Sequence, residues 1–89
     1  MKIDLANIES EGQLHCVLAR ELGFPDFYGE NWDAFWDSIT GLVEFSNEIY
    51  FVDTENLQRV LPKAFDQLKK CFQEFNDEYP EIMCNVTWA

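Results

Sequence analysis

Eighty-nine residues make one domain at most, large enough for a single core but with little stability to spare. Hydrophobic residues are 47% of the chain and aromatics 16%, with eight Phe, which excludes a disordered chain and implies an aromatic-rich core. The net charge of −11, from 17 acidic and six basic side chains, argues against nucleic acid and anionic membranes, since phosphate binding needs clustered Lys and Arg.

The acidity leaves two readings: it keeps a small protein soluble, or it attracts and steers a basic partner. Cys16, Cys71 and Cys84 are odd in number and widely spaced. They fit neither a disulfide framework nor a zinc site, and reduced thiols are the simplest account. Met1-Lys2-Ile3-Asp4-Leu5 is no signal-like apolar run. No stretch approaches the ~20 apolar residues of a membrane span, so a cytoplasmic location is expected.

In chain order, Lys2 to Ala6 alternates with Ile3 and Leu5 on one side and reads as a short strand. Ser10 with Gln13 has the form of a capping box, in which the Gln reaches back to the cap amide. Leu14, Val17, Leu18 and Leu22 then share a helical face, which Gly23 and Pro25 end. His15 and Cys16 lie in this helix away from any partner motif, and His15 reads as a surface or packing residue rather than a catalyst.

Gly29 or Asn31 can cap the next helix, with Asp33 in its first turn, where the macrodipole favours a carboxylate. At about 100° per residue, Trp32, Phe35, Trp36, Ile39, Leu42 and Val43 cluster within roughly 120° of arc. Glu30, Asp33, Asp37, Thr40 and Glu44 fall on another arc, with Trp36 at the border. Asp33 and Asp37 are an i,i+4 like-charge pair that destabilises a helix by about 0.2–0.5 kcal/mol.

Glu48 to Asp53 is nearly continuous in apolar character, as expected of a strand covered on both faces, and Thr54 can cap the helical segment after it. Leu57, Val60 and Leu61 make a short helical face. Pro62 opens a new helix carrying Phe65, Leu68, Phe72 and Phe75, ended by Tyr79-Pro80. Ile82, Cys84, Val86 and Trp88 alternate as a final strand. Strands separated by helices predict an α/β fold: a small three-stranded parallel sheet packed against about four helices in two layers, as one domain over residues 1–89.

Catalysis finds little support. His15 is the sole histidine and has no nucleophile context, and the glycines at 12, 23, 29 and 41 form no phosphate loop. Glu30, Asp33 and Asp37 match no calcium loop, and a helix face is a poor cage. Acid/base work by paired carboxylates needs a concave pocket that separates their pKa values. No metal and no cofactor is expected. The acidic face, flanked by Phe27, Tyr28, Trp32 and Trp36, has the composition of an interaction hot spot. Helical spacing equally allows the aromatics to be core and the acids a solvated face.

Tyr28-Gly29-Glu30-Asn31, followed by Asp33-Ala34, Trp36-Asp37 and Thr40-Gly41, resembles the barstar family, intracellular inhibitors of barnase-type secreted ribonucleases. The Phe24-Pro25 lead-in and Phe72 with Glu74 also fit, and similar length and element order extend the resemblance over nearly the whole chain. The Tyr-Gly-Glu-Asn segment with its following Trp-Asp is the specific part.

The resemblance implies a barstar-like fold and no enzymatic activity. An acidic helix and the loop before it would block the active site of a basic ribonuclease. Asp37 would enter the site that holds an RNA phosphate, Asp33 would pair with a nearby basic group on the enzyme, and Glu74 would add a peripheral charge contact. Gly29 and Asn31 would lie against the enzyme, with Tyr28, Trp36 and Gly41 completing the patch. Phe27 stands where the family's namesake has a tyrosine, keeping a ring that can stack on a histidine. Trp32 replaces a leucine, Leu42 a tryptophan and Ser38 a cysteine, which bears on the target's identity more than on the mode of binding. The expected unit is a monomer. The alternative is an acidic binding or immunity module of the same fold for a different, non-barnase partner.

Overall fold

A computed structural model describes residues 1–26, 28–42 and 48–89, with only the backbone of Leu42. Its elements are β1 (Lys2–Asp4), α1 (Glu11–Leu22), α2 (Trp32–Asp37), β2 (Glu48–Val52), α3 (Thr54–Val60), α4 (Pro62–Glu78) and β3 (Asn85–Trp88). A π-helical turn, Ser38–Leu42, continues α2. The strands are all parallel in the order β1-β2-β3, placing Ile3, Phe51 and Trp88 in register across the sheet. This is the expected α/β arrangement with four helices.

Strands taken in sequence order step the same way at each crossover, so crossovers of one hand lay their helices on one face. The burial agrees: Ile3, Ile49 and Phe51 are buried, whereas Lys2, Asp4, Glu48 and Tyr50 are exposed. β2 is thus covered on one face only, not both, and Tyr50 is 46% exposed despite its apolar neighbours. The inward face stacks Phe51 on Trp88 (4.8 Å, 5° between planes). Rings continue from Phe51 through Phe72 to the fully buried Phe35 of α2. Burying each such side chain stabilises the fold by about 1.5–3 kcal/mol.

Ends of elements obey local chemistry. Ser10 Oγ accepts from the Gln13 N–H, as a cap should, but Gln13 Oε1 accepts from the Glu9 N–H rather than that of Ser10. Gly23 ends α1 at φ 74°, where its N–H bonds the Ala19 carbonyl. Asp53, not Thr54, caps α3: its carboxylate accepts from the Asn56 N–H at a left-handed φ of 59°. Thr54 is instead the first residue of α3, and its hydroxyl donates to the Ala89 carbonyl.

The final strand begins later than the alternation suggested. Ile82 and Met83 are exposed in the turn before it. Asn76 on α4 grips the Cys84 backbone twice, at 2.8 Å each to its N–H and carbonyl, so pairing starts at Asn85. The helix after Asn31 is not uniform either. Beyond Asp37 it widens to π spacing, and Thr40 Oγ1 donates back to the Trp36 carbonyl (2.7 Å). Ile39 is still buried as the wheel placed it, but Thr40 is half-buried with its hydroxyl turned back on the helix rather than offered beside the carboxylates. Val43 and Glu44, expected to extend the two stripes, lie outside the described residues.

Candidate functional site

Helix α2 has only six residues, too short to stand on propensity. Two features hold it. Asn31 caps it, its Oδ1 accepting from the Ala34 N–H (2.7 Å) while its Nδ2 donates to the Gly29 carbonyl (3.2 Å). A Cβ at Gly29 would come within 3.3 Å of that Nδ2, so a side chain there would crowd the cap. Phe35, fully buried, then ties the helix to Phe24 and Phe72. With Phe35 inward, Asp33 and Asp37 are exposed, and Trp32 and Trp36 are half-buried at the borders. Among the described residues neither Asp33 nor Asp37 has a side-chain hydrogen bond or an ion pair.

Alongside α2 runs α4. Asp33, Trp36 and Asp37 face Lys70 and Glu74 across an open groove of about 380 Å³. Trp32, Gln67 and Cys71 complete its lining. Among the described residues, three carboxylates and the Lys70 ammonium thus line the groove, with Lys70 lying 3.9 Å from Glu74. Both partners of that pair are exposed, so it contributes little to stability.

The loop side of α2 is different. The Tyr28 hydroxyl meets His15 Nδ1 and donates weakly to the Asn31 carbonyl (3.4 Å). His15 is 1% exposed, and burial holds its pKa below the ordinary value, against the pull of Glu11 and Glu30. Burial likewise pushes the Tyr28 phenol up. Trp32 Nε1 donates to Glu11 Oε1 at 2.8 Å. Glu30 sits at a left-handed φ of 52°, a strained setting for a non-glycine residue, and accepts from the Cys16 thiol (3.4 Å). His15 is therefore a packing residue.

Of the residues expected at a partner-binding face, Trp32, Asp33, Trp36, Asp37 and Glu74 come together around the groove. Tyr28, Gly29 and Asn31 form the loop at the α2 N-terminus, with the Asn31 side chain and Tyr28 hydroxyl bonded internally. Gly41 is exposed in the π-helical turn. Phe27 and the Leu42 side chain lie outside the described residues. Gln67, Lys70 and Cys71 were not anticipated, although their spacing with Glu74 puts all four on one helical face. Glu11 and His15 left no such signal, because they reach the loop only through the packing of α1. Among the described residues no group of His, Cys, Asp and Glu is placed to hold a metal ion, and no helix is long and apolar enough to cross a membrane.

The sequence model of one family, barstar (barnase inhibitor), matches residues 1–87. A Bacillus subtilis (strain 168) protein named "Putative ribonuclease inhibitor YrdF" is 35% identical over 82 residues, covering 80% of this chain and 90% of the relative. With the family pattern running almost end to end and the fold in agreement, the chain belongs to the barstar family, inhibitors rather than enzymes.

Proposed function

We propose that residues 1–89 form one binding domain that inhibits a basic ribonuclease in the cytoplasm by covering its active site with α2 and the preceding loop. The observation that carries this is the pair of exposed carboxylates on α2, Asp33 and Asp37, without internal partners among the described residues and facing Glu74. A nuclease is basic where RNA binds, so such a face imitates phosphate without chemistry of its own. Asp37 enters the phosphate site, Asp33 meets a neighbouring basic group, and Glu74 contributes at the edge. Phe27, Tyr28, Gly29, Asn31, Trp32, Trp36 and Gly41 supply the surrounding surface. The net charge of −11 supports fast steering to a basic partner and opposes binding of nucleic acid or of a second copy. Cys16, Cys71 and Cys84, none of them in a disulfide among the described residues, suit a reducing compartment.

The test is to titrate a panel of barnase-type ribonucleases with the protein and with Asp37→Ala. Inhibition by the first and not the second is expected; undiminished activity across the panel rejects the ribonuclease reading. Association should also slow as ionic strength rises, and a rate indifferent to salt contradicts steering. A second reading, an immunity module for a non-nuclease partner, draws on Lys70, a cation inside the acidic groove that a uniformly basic surface would not favour. Capture from the native host returning a non-nuclease would support it.

A further inference from the structure

We propose that Glu11 is a positioning residue for the partner-binding face, its carboxylate fixing the Trp32 indole as one wall of the α2–α4 groove. This rests on the ribonuclease-binding reading of that face. The indole has a single hydrogen-bond donor, and it goes to Glu11 Oε1 at 2.8 Å, a contact spanning 21 residues of sequence. An ionised acceptor makes this bond stronger than a neutral one. Among the described residues the ring also meets the rings of His15 (centroids 4.6 Å, 55° between planes) and Phe35 (5.4 Å, edge-on). Both rings are buried, so they set where the indole rests, and the Glu11 bond selects its orientation between them.

Glu11 is well placed to be rigid. It is the first residue of α1, immediately after the Ser10 cap that the Gln13 amide engages. Its side chain is 54% exposed, so the bond lies at the surface and matters less to folding than to where the indole sits. The indole lines the groove with Asp33, Trp36 and Glu74, where a displaced ring would alter the shape offered to a partner. A bound partner holds best when such a ring is already oriented, because ordering it on binding weakens the complex. The effect falls on dissociation, whereas loss of one exposed charge falls mainly on association.

The experiment compares the full chain with Glu11→Ala, Glu11→Gln, Trp32→Phe and the Glu11→Ala/Trp32→Phe double variant. Glu11→Met, of similar length but without an acceptor, replaces Glu11→Ala if the latter folds poorly. Two readouts are taken: hydrogen exchange of the Trp32 indole N–H in the free protein by NMR, and association and dissociation rates with a ribonuclease that the wild type inhibits. In Glu11→Ala the indole N–H should exchange faster and the complex dissociate about threefold to tenfold faster. Glu11→Gln, which keeps an acceptor, should stay within about twofold of wild type, and Glu11→Ala should add nothing in the Trp32→Phe background. Dissociation unchanged by Glu11→Ala, or raised equally with Phe at position 32, overturns the proposal. If the wild type inhibits no ribonuclease in the panel, the parent reading fails separately. The indole readout then decides the role of Glu11: faster exchange supports it and unchanged exchange overturns it.

Discussion

On the flank of α2 that meets α1, polar groups are engaged within the protein: Asn31 with Gly29 and Ala34, Tyr28 with His15, Trp32 with Glu11. On the flank that meets α4, Asp33 and Asp37 are exposed and, among the described residues, unpaired, although the same short helix carries both flanks. Residue type does not separate these roles, since each flank has polar side chains beside a tryptophan. Pairing does. A group already bonded internally shapes the surface, whereas an exposed carboxylate stays hydrated until a cationic partner offsets its desolvation.

The most disruptive test removes what both flanks share. Phe35→Ala should cost about 3–5 kcal/mol of stability by urea denaturation, because the ring touches Phe24, Trp32 and Phe72. Both flanks should fail together; a variant that keeps wild-type stability would show that α2 is held by something else. Asp37→Ala should break one flank alone. Affinity for an inhibited ribonuclease should fall by about 2 kcal/mol or more, roughly thirtyfold. Stability should be unchanged or rise by about 0.2–0.5 kcal/mol as the repulsion from Asp33 is relieved. A clear loss of stability would place Asp37 in the scaffold.

The braced flank is sharpened by pH. Burial depresses the His15 pKa from its ordinary 6.5, so as pH falls through that value the unfolded chain takes the proton first. The His15 contribution is fully present above the unfolded value and is lost as pH falls towards the folded one. His15→Gln should flatten this limb of a stability–pH profile measured between about pH 7.5 and 5; an unaltered limb would assign it to other groups. The smallest effect concerns thiols. Burial pushes Cys71 and Cys84 up to about 11, while Cys16 is exposed, its pKa raised mainly by its hydrogen bond to Glu30. A disulfide reagent near pH 8 should titrate Cys16 first, and Glu30→Gln should speed that reaction. Equal rates at all the thiols would contradict the buried placement of Cys71 and Cys84.

Much of the fold was legible because it is set by neighbours in sequence. The Phe65, Leu68, Phe72, Phe75 spacing announced α4, Ser10 and Gly23 marked the ends of α1, and the helical wheel turned Asp33 and Asp37 away from Phe35. Less legible were features governed by backbone geometry or distant packing. Widening after Asp37, the left-handed cap at Asp53 and the bare outer face of β2 each defeat a regular periodicity. For the site, the family motif pointed to Asp33, Asp37 and Glu74, but nothing in it marked Lys70 as their neighbour in the groove.

Sequence alone therefore determined which elements form and which way the α2 carboxylates face, since residues within a turn of one another decide both. Only the tertiary structure decided which polar groups are engaged and which are not. Glu11 and Trp32 are 21 residues apart, and His15 and Tyr28 are 13 apart. Contacts at such separations exist only once helices pack on the sheet, because no local preference can supply a partner that the chain has yet to bring near.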